Sequence, residues 1–377
     1  MARMEGAVEG RKEGLARPAA RAQLSAAAVF VALPAILFYV ILFRNALNLP
    51  VLDDYDVILG VLNRLVQISN IPARASYFFA TQHGEFKLLL LHAVAWLQFY
   101  LCGRIDFRLL SAVGNGFILL LAVLLWKMFL PNRKELALRM ALFIPVSWLV
   151  FQLQYCETLN FATPGLQHVA VLPFSLGALY LLVRGERWAF LCALSSLILA
   201  VSADGNGLLV VPVGLLILAR SRKWARIGIW SAVAAACIAV YAYRYDVSMS
   251  AAEPGHSVLS VILHFRPDYA IGFIGGAAGF PFRLRAASLL LGSLLSAFFV
   301  WMTWRGYPRR NPAVGYCVLF LLITAAGVAG LRSDFGVANL PSRYAMYSAL
   351  FLSFAWIAIV EEFLQDRRGP LLNDGVF

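Results

Sequence analysis

From Leu24 to Phe43 no residue carries a charge. A helix rises about 1.5 Å per residue, so such a run matches the roughly 30 Å of hydrocarbon in a bilayer. Inside lipid every backbone N–H and C=O must be paired within the protein, which restricts a spanning segment to a helix or a closed barrel. Comparable apolar stretches recur at 24–46, 107–129, 136–154, 166–183, 187–202, 206–220, 226–243, 286–304, 312–330 and 343–363. The chain is 61% hydrophobic and only 14% charged, with a mean hydropathy of +0.75. A soluble domain is typically about 25% charged. The pattern predicts an all-α polytopic membrane protein with about ten transmembrane helices.

One further apolar stretch, 86–102, is resolved by charge. With that stretch not crossing, one side collects the tail basics (Arg3, Arg11, Lys12, Arg17, Arg21) and Lys127, Arg133, Lys134 and Arg139. The same side collects Arg184 and Arg187, then Arg220, Arg222, Lys223 and Arg226, then Arg305, Arg309 and Arg310, and finally Arg367 and Arg368. Lysine and arginine in short loops mark the cytoplasmic side. The expectation is therefore a helix at 86–102 lying in or dipping into the outer leaflet, with both termini cytoplasmic. The net charge of +12 then follows from topology and calls for no nucleic-acid partner. Domain boundaries read as a flexible basic tail at 1–23, a single transmembrane domain at 24–363 and a tail at 364–377. Its outer loops are 47–106, 155–165, 244–285 and 331–342. The five cysteines are scattered, with no CxxC pair, and read as packing residues.

This topology puts the chemically interesting side chains on one face. Asp53, Asp54 and Asp56 surround Tyr55 just beyond the first apolar run. The following 57–70 stretch is amphipathic, with Ile58, Val61, Leu62, Leu65 and Ile68 at helical spacing, and suits a membrane interface or a packed surface helix. Gln82, His83, Glu85 and Lys87 cluster where the next hydrophobic stretch begins, and a cation at that level can hold a lipid phosphate. The 151–165 loop mixes Tyr155 and Glu157 with amides, the composition of a carbohydrate site and equally of an interfacial aromatic belt. Asp204 sits in a tight turn and reads as a turn-former. The 244–285 segment, with His264, Arg266 and Asp268, is the longest outer loop; its glycines at 272, 275, 276 and 279 suggest a mobile or closely packed hairpin. Arg332 and Arg343, with Tyr344, flank the mouth of the last span; the two arginines read as a phosphate or pyrophosphate clamp or, alternatively, as snorkelling anchors.

The order of a first span, an acidic loop, interfacial helices and many further spans resembles the GT-C superfamily of membrane glycosyltransferases, which use polyprenyl-phosphate-linked sugars. Gln82-His-Gly-Glu-Phe-Lys87 resembles the QHNEHR element of its bacterial members, with Gly84, Phe86 and Lys87 standing where those have Asn, His and Arg. Gly330-Leu-Arg-Ser-Asp-Phe-Gly followed by Pro341-Ser-Arg-Tyr344 resembles their G-R-x-x-F-G…S-R-Y element.

The resemblance implies an enzyme of the bacterial cytoplasmic membrane with its active site facing outward. It would move a sugar from a polyprenyl-phosphate donor to a glycan, lipid or protein acceptor. An inverting transfer needs a base for the acceptor proton, which the resemblance assigns to Asp53 or Asp54. The leaving phosphate falls to Arg343, Arg332 or Lys87. Tyr55, Gln82, His83, Glu85, Tyr155, Glu157 and Tyr344 would contact sugar or acceptor, and neither metal nor cofactor is called for. Two rivals share features with this reading: a polymerase or ligase using a diphosphate-linked donor, and a lipid-linked-sugar transporter or flippase. The second would want charges within several spans.

Overall fold

The computed structural model describes residues 2–130, 135–249, 265–279, 284–331, 337 and 340–366. Among them the chain is helical throughout, and the only extended pairing is a single antiparallel bridge between His83 and Phe86. Seven helices are long and apolar enough to cross a membrane: Arg21–Asn45, Phe107–Met128, Ala162–Arg184, Trp224–Ala242, Arg285–Trp304, Pro312–Leu331 and Ser342–Leu364. Four apolar helices are shorter, at Leu89–Cys102, Leu136–Val150, Arg187–Ala203 and Gly205–Arg220. The architecture is that of a polytopic helical membrane protein. Three of the ten expected spans, 136–154, 187–202 and 206–220, correspond to helices of this shorter class.

The first helix, α1 (Ala2–Asn45), begins well before the apolar run. The same helix takes in the basic stretch 2–20, whose Ala, Arg, Glu and Lys are strong helix formers. Short helices follow: a π-helical turn Tyr55–Gly60, α2 (Val61–Gln67), α3 (Ile71–Ala80) and α4 (Leu89–Cys102). Then come α5 (Phe107–Met128) and α6 (Leu136–Val150). The end of α1 and the start of α5 are tied directly, because the Phe107 N–H donates to Asn48 Oδ1 at 2.8 Å. Everything between them therefore leaves and returns at one level.

The apolar surface is arranged inside out relative to a soluble protein. The Ala162–Arg184 helix is central, with 72% of its most apolar window buried, whereas Trp224–Ala242 lies at the rim with 11%. Val300, Trp304 and Leu290 of the Arg285–Trp304 helix are almost bare. Such a face is stable only against lipid, since a soluble monomer rarely exposes a large contiguous apolar patch.

With lipid as solvent, helices associate by close packing of small residues. A Cβ on Gly292 would stand 1.9 Å from the Ile271 carbonyl oxygen, and one on Gly275 2.0 Å from that of Ser288. The helix Pro267–Ile274 thus lies backbone-to-backbone on Arg285–Trp304, and of the two readings of the glycine-rich 272–279 stretch the packed one applies. At the other end of the bundle Glu361 accepts from the Tyr307 hydroxyl (2.6 Å), Asn311 Nδ2 (3.1 Å) and the Leu130 N–H (3.3 Å). Arg305 and Arg310 both pair with Glu362. These contacts fasten the last helix, Ala345–Asp366, to its neighbours.

Candidate functional site

Two adjacent aspartates have opposite fates. Residues that enter a helical turn in succession point about 100° apart, so Asp53 faces out and Asp54 faces in. Asp54 is fully buried. Its Oδ1 accepts from the Thr163 N–H (3.0 Å) and hydroxyl (2.7 Å), and its Oδ2 from the N–H groups of Ala162 (3.2 Å) and Val51 (3.3 Å). A carboxylate has about four acceptor positions, and all four are used. Ala162 and Thr163 open the Ala162–Arg184 helix, where unpaired N–H groups and the helix dipole favour a negative charge. Asp54 therefore caps a helix from 108 residues away, which leaves it no lone pair for an acceptor's proton. Of the two candidates for base, only Asp53 presents an exposed carboxylate; its side chain is 56% exposed. Tyr55 and Asp56 are also exposed.

The partner of Asp53 is His83, whose Nε2 lies 3.9 Å from Oδ1. His83 is held by a tight turn in which it and Phe86 exchange both backbone hydrogen bonds, at 2.9 and 3.0 Å. Gly84 takes a φ of +55° there, a conformation routine only for glycine and, less often, asparagine or aspartate.

The rest of this element is anchored to the end of the Trp224–Ala242 helix. Gln82 donates to the Asp246 carbonyl at 2.9 Å and accepts from the Asp246 N–H at 2.9 Å. The hydroxyls of Tyr241 and Tyr245 both donate to the Glu85 carbonyl. Lys87 is fully buried, and its ammonium donates to the carbonyls of Phe79 (2.8 Å) and Tyr243. Burial pushes its pKa below the ordinary lysine value. The expected phosphate ligand is thus an internal brace here, because its charge is screened from the surface and two of its three donors are spent.

A second cluster joins distant segments. Arg343 Nη1 donates to Glu157 Oε2 at 2.8 Å, and the Ser342 N–H donates to Glu157 Oε1 at 3.1 Å. The Arg343 Nε–H is buried and meets no acceptor among the described residues. Tyr344 is buried against Phe273 and Tyr347. Tyr155 is wholly buried, its hydroxyl donating to the Leu149 carbonyl at 2.8 Å, and so belongs to the core instead of a sugar-facing surface. Arg332 and His264 lie outside the described residues.

One constellation escaped the sequence reading. His168 Nδ1 lies 3.2 Å from Asp204 Oδ2, and Asp204 also accepts from Gln167 Nε2 (2.8 Å) and the Asn206 N–H (2.9 Å). Burial would raise the Asp204 pKa, but the hydrogen bonds from His168, Asn206 and Gln167 hold it below the usual carboxylate value. Asn206 continues the chain of contacts to the Tyr347 hydroxyl and Thr324. Gln167 and His168 sit on a π-helical turn, Gly165–Val169, a local geometry frequent at functional sites. The Phe86 ring lies edge-on to His168 at 6.1 Å, so this dyad abuts the turn that carries His83. The available signal was a histidine at the start of an apolar span, where an ionisable group has a polar partner almost by necessity.

Chemically, the site offers one exposed carboxylate beside an imidazole, a buried His–Asp dyad behind it, and an arginine whose charge is shared with Glu157. Among the described residues no three His, Cys, Asp or Glu side chains stand close enough to hold a metal ion. Comparison with protein-family models, curated proteins and solved structures finds no match to this chain.

Proposed function

We propose that the chain is an integral-membrane glycosyltransferase of the GT-C type, taking a sugar from a polyprenyl-phosphate donor at the outer face of the cytoplasmic membrane. The observation that carries this reading is the division of labour between Asp53 and Asp54. Asp54 is locked into the scaffold through four hydrogen bonds, and that lock holds the neighbouring Asp53 exposed and 3.9 Å from His83. A solvated loop needs no such anchor, whereas a general base must be held within reach of its proton. In this reading Asp53 takes the acceptor's proton as its oxygen attacks the anomeric carbon, and His83 orients the carboxylate. The departing lipid phosphate is met by the exposed part of the Arg343 guanidinium, whose side chain is about a quarter exposed, and Arg332 is proposed as the second cation of the clamp. Tyr55 and Asp56 flank the acceptor side, while Gln82, Glu85 and Lys87 set the frame. Gly84 also suits the reading: glycine and asparagine share tolerance for the left-handed turn, so the difference from the family element preserves its shape.

The topology follows the same line. The Asn48–Phe107 hydrogen bond brings both ends of the acidic loop region to one level, which favours α4 as a non-crossing helix and ten spans in all. A proton-coupled transporter is the second reading, favoured by the buried His168–Asp204 pair. The two separate in lipid extracts of cells lacking the protein. A transferase leaves its sugar-loaded polyprenyl phosphate accumulated in membranes, and purified protein in detergent then consumes that lipid with an acceptor. A transporter gives no turnover in detergent, where there are no two compartments.

A further inference from the structure

Away from the Asp53 centre, at the opposite ends of the helices, a cavity of about 690 Å³ opens between Val210–Arg220, Arg285–Trp304 and Pro312–Leu331. Its walls are apolar, with Phe299, Val300, Leu319 and Leu322. Its mouth is basic. Arg220 closes the first of these helices, and Arg309 lies in the short Tyr307–Arg310 turn of helix that joins the other two. The arginines at and next to this mouth divide cleanly. Arg305 and Arg310 share Glu362, whereas Arg220 and Arg309 pair with no carboxylate among the described residues. The two unpaired ones are those that line the cavity. Trp304 stands beside them, 86% exposed, at the end of its helix. Tryptophan is enriched where hydrocarbon meets headgroups, which sets the depth of the mouth.

An apolar slot that opens sideways and carries two guanidiniums at headgroup level is complementary to one molecule: a lipid with a negative phosphate head and acyl tails. Guanidiniums pair with phosphate oxygens in a fork that a zwitterionic head, with its own ammonium, satisfies less well. We infer that this cavity binds an anionic phospholipid from the leaflet at the basic end, its phosphate between Arg220 and Arg309 and an acyl chain along Phe299 and Val300. The inference is independent of the reading of the Asp53 centre.

The test uses the full chain in phosphatidylcholine nanodiscs containing a titrated fraction of phosphatidylglycerol, with bound lipid counted by native mass spectrometry. Wild type should retain phosphatidylglycerol preferentially. The double variant Arg220→Gln/Arg309→Gln should lose that preference by about thirty-fold, the effect of two cations at a membrane surface. Arg305→Gln removes a charge outside the cavity and should behave as wild type. Thr303→Trp fills the cavity without altering charge and should also lose the lipid, which keeps the test decisive if the arginine variant melts early. Equal retention by wild type and both cavity variants overturns the proposal. So does displacement of the lipid by millimolar glycerol 3-phosphate, which would make the site a receptor for soluble phosphate.

Discussion

Arg343 donates to Glu157 at 2.8 Å across 186 residues of sequence, joining the loop after α6 to the entrance of the last helix. Both side chains are about a quarter exposed, between the surface regime, where a pair contributes little, and the buried one, where breaking it costs several kcal/mol. A double-mutant cycle with Glu157→Gln and Arg343→Gln should give a coupling of about 1–2 kcal/mol. Arg343→Lys should keep the fold and lose most transfer activity, since an ammonium cannot pair with Glu157 and a phosphate through one planar fork. Near-normal turnover in Arg343→Lys would reduce the residue to a structural tie.

The three acids of the opening loop should separate by phenotype. Asp54→Asn turns an amide N–H toward donors from Val51, Ala162 or Thr163, so thermal unfolding in detergent should show a loss of about 2–4 kcal/mol. Asp53→Asn should melt like wild type and bind donor, yet transfer about 10²–10⁴-fold more slowly. Asp56→Asn should stay active. If Asp53→Asn transfers sugar at the wild-type rate, the base is elsewhere, and His168 becomes the next candidate.

Lys87 gives an opposite contrast. Lys87→Met leaves the carbonyls of Phe79 and Tyr243 without their donor, at roughly 1–3 kcal/mol for each group that finds no replacement. The melting temperature should fall while donor affinity of the folded fraction, measured by lipid co-purification, stays unchanged. A loss of donor affinity without loss of stability would restore Lys87 as a phosphate ligand.

Helix packing is tested at Gly292. An alanine there forces the Pro267–Ile274 helix off its neighbour, because the added carbon meets a backbone oxygen that no rotamer can move aside. Gly292→Ala should cost about 1–3 kcal/mol, the range for overpacking, whereas Gly228→Ala, where nothing lies within 4 Å, should be neutral or slightly stabilising.

Topology is read by thiol labelling. Single cysteines at Ser221 and Asn132, in a cysteine-free background, should both resist an impermeant reagent applied to intact cells. Labelling at Asn132 would show that α4 crosses and would reverse every later loop.

The existence of the spanning helices was legible in the sequence, because an apolar run in lipid has few alternatives to a helix and its length sets what it can cross. The positions of the acidic loop, the Gln82–Lys87 cluster and the arginine at the last helix were legible too, since polar groups in so apolar a chain stand out. What each of them does was not. Asp53 and Asp54 are chemically identical neighbours, and only the arrival of Ala162 and Thr163 makes one a helix cap and leaves the other exposed. Lys87 reads as a surface cation until α3 and the end of the Trp224–Ala242 helix close over it. His168, unremarked in the sequence, and Asp204, read there only as a turn-former, lie 36 positions apart and become a dyad when their segments pack side by side. Hydropathy is a property of a segment and survives being read in one dimension. The role of a polar side chain depends on which donors, acceptors and water molecules surround it, and that is decided only when distant segments meet.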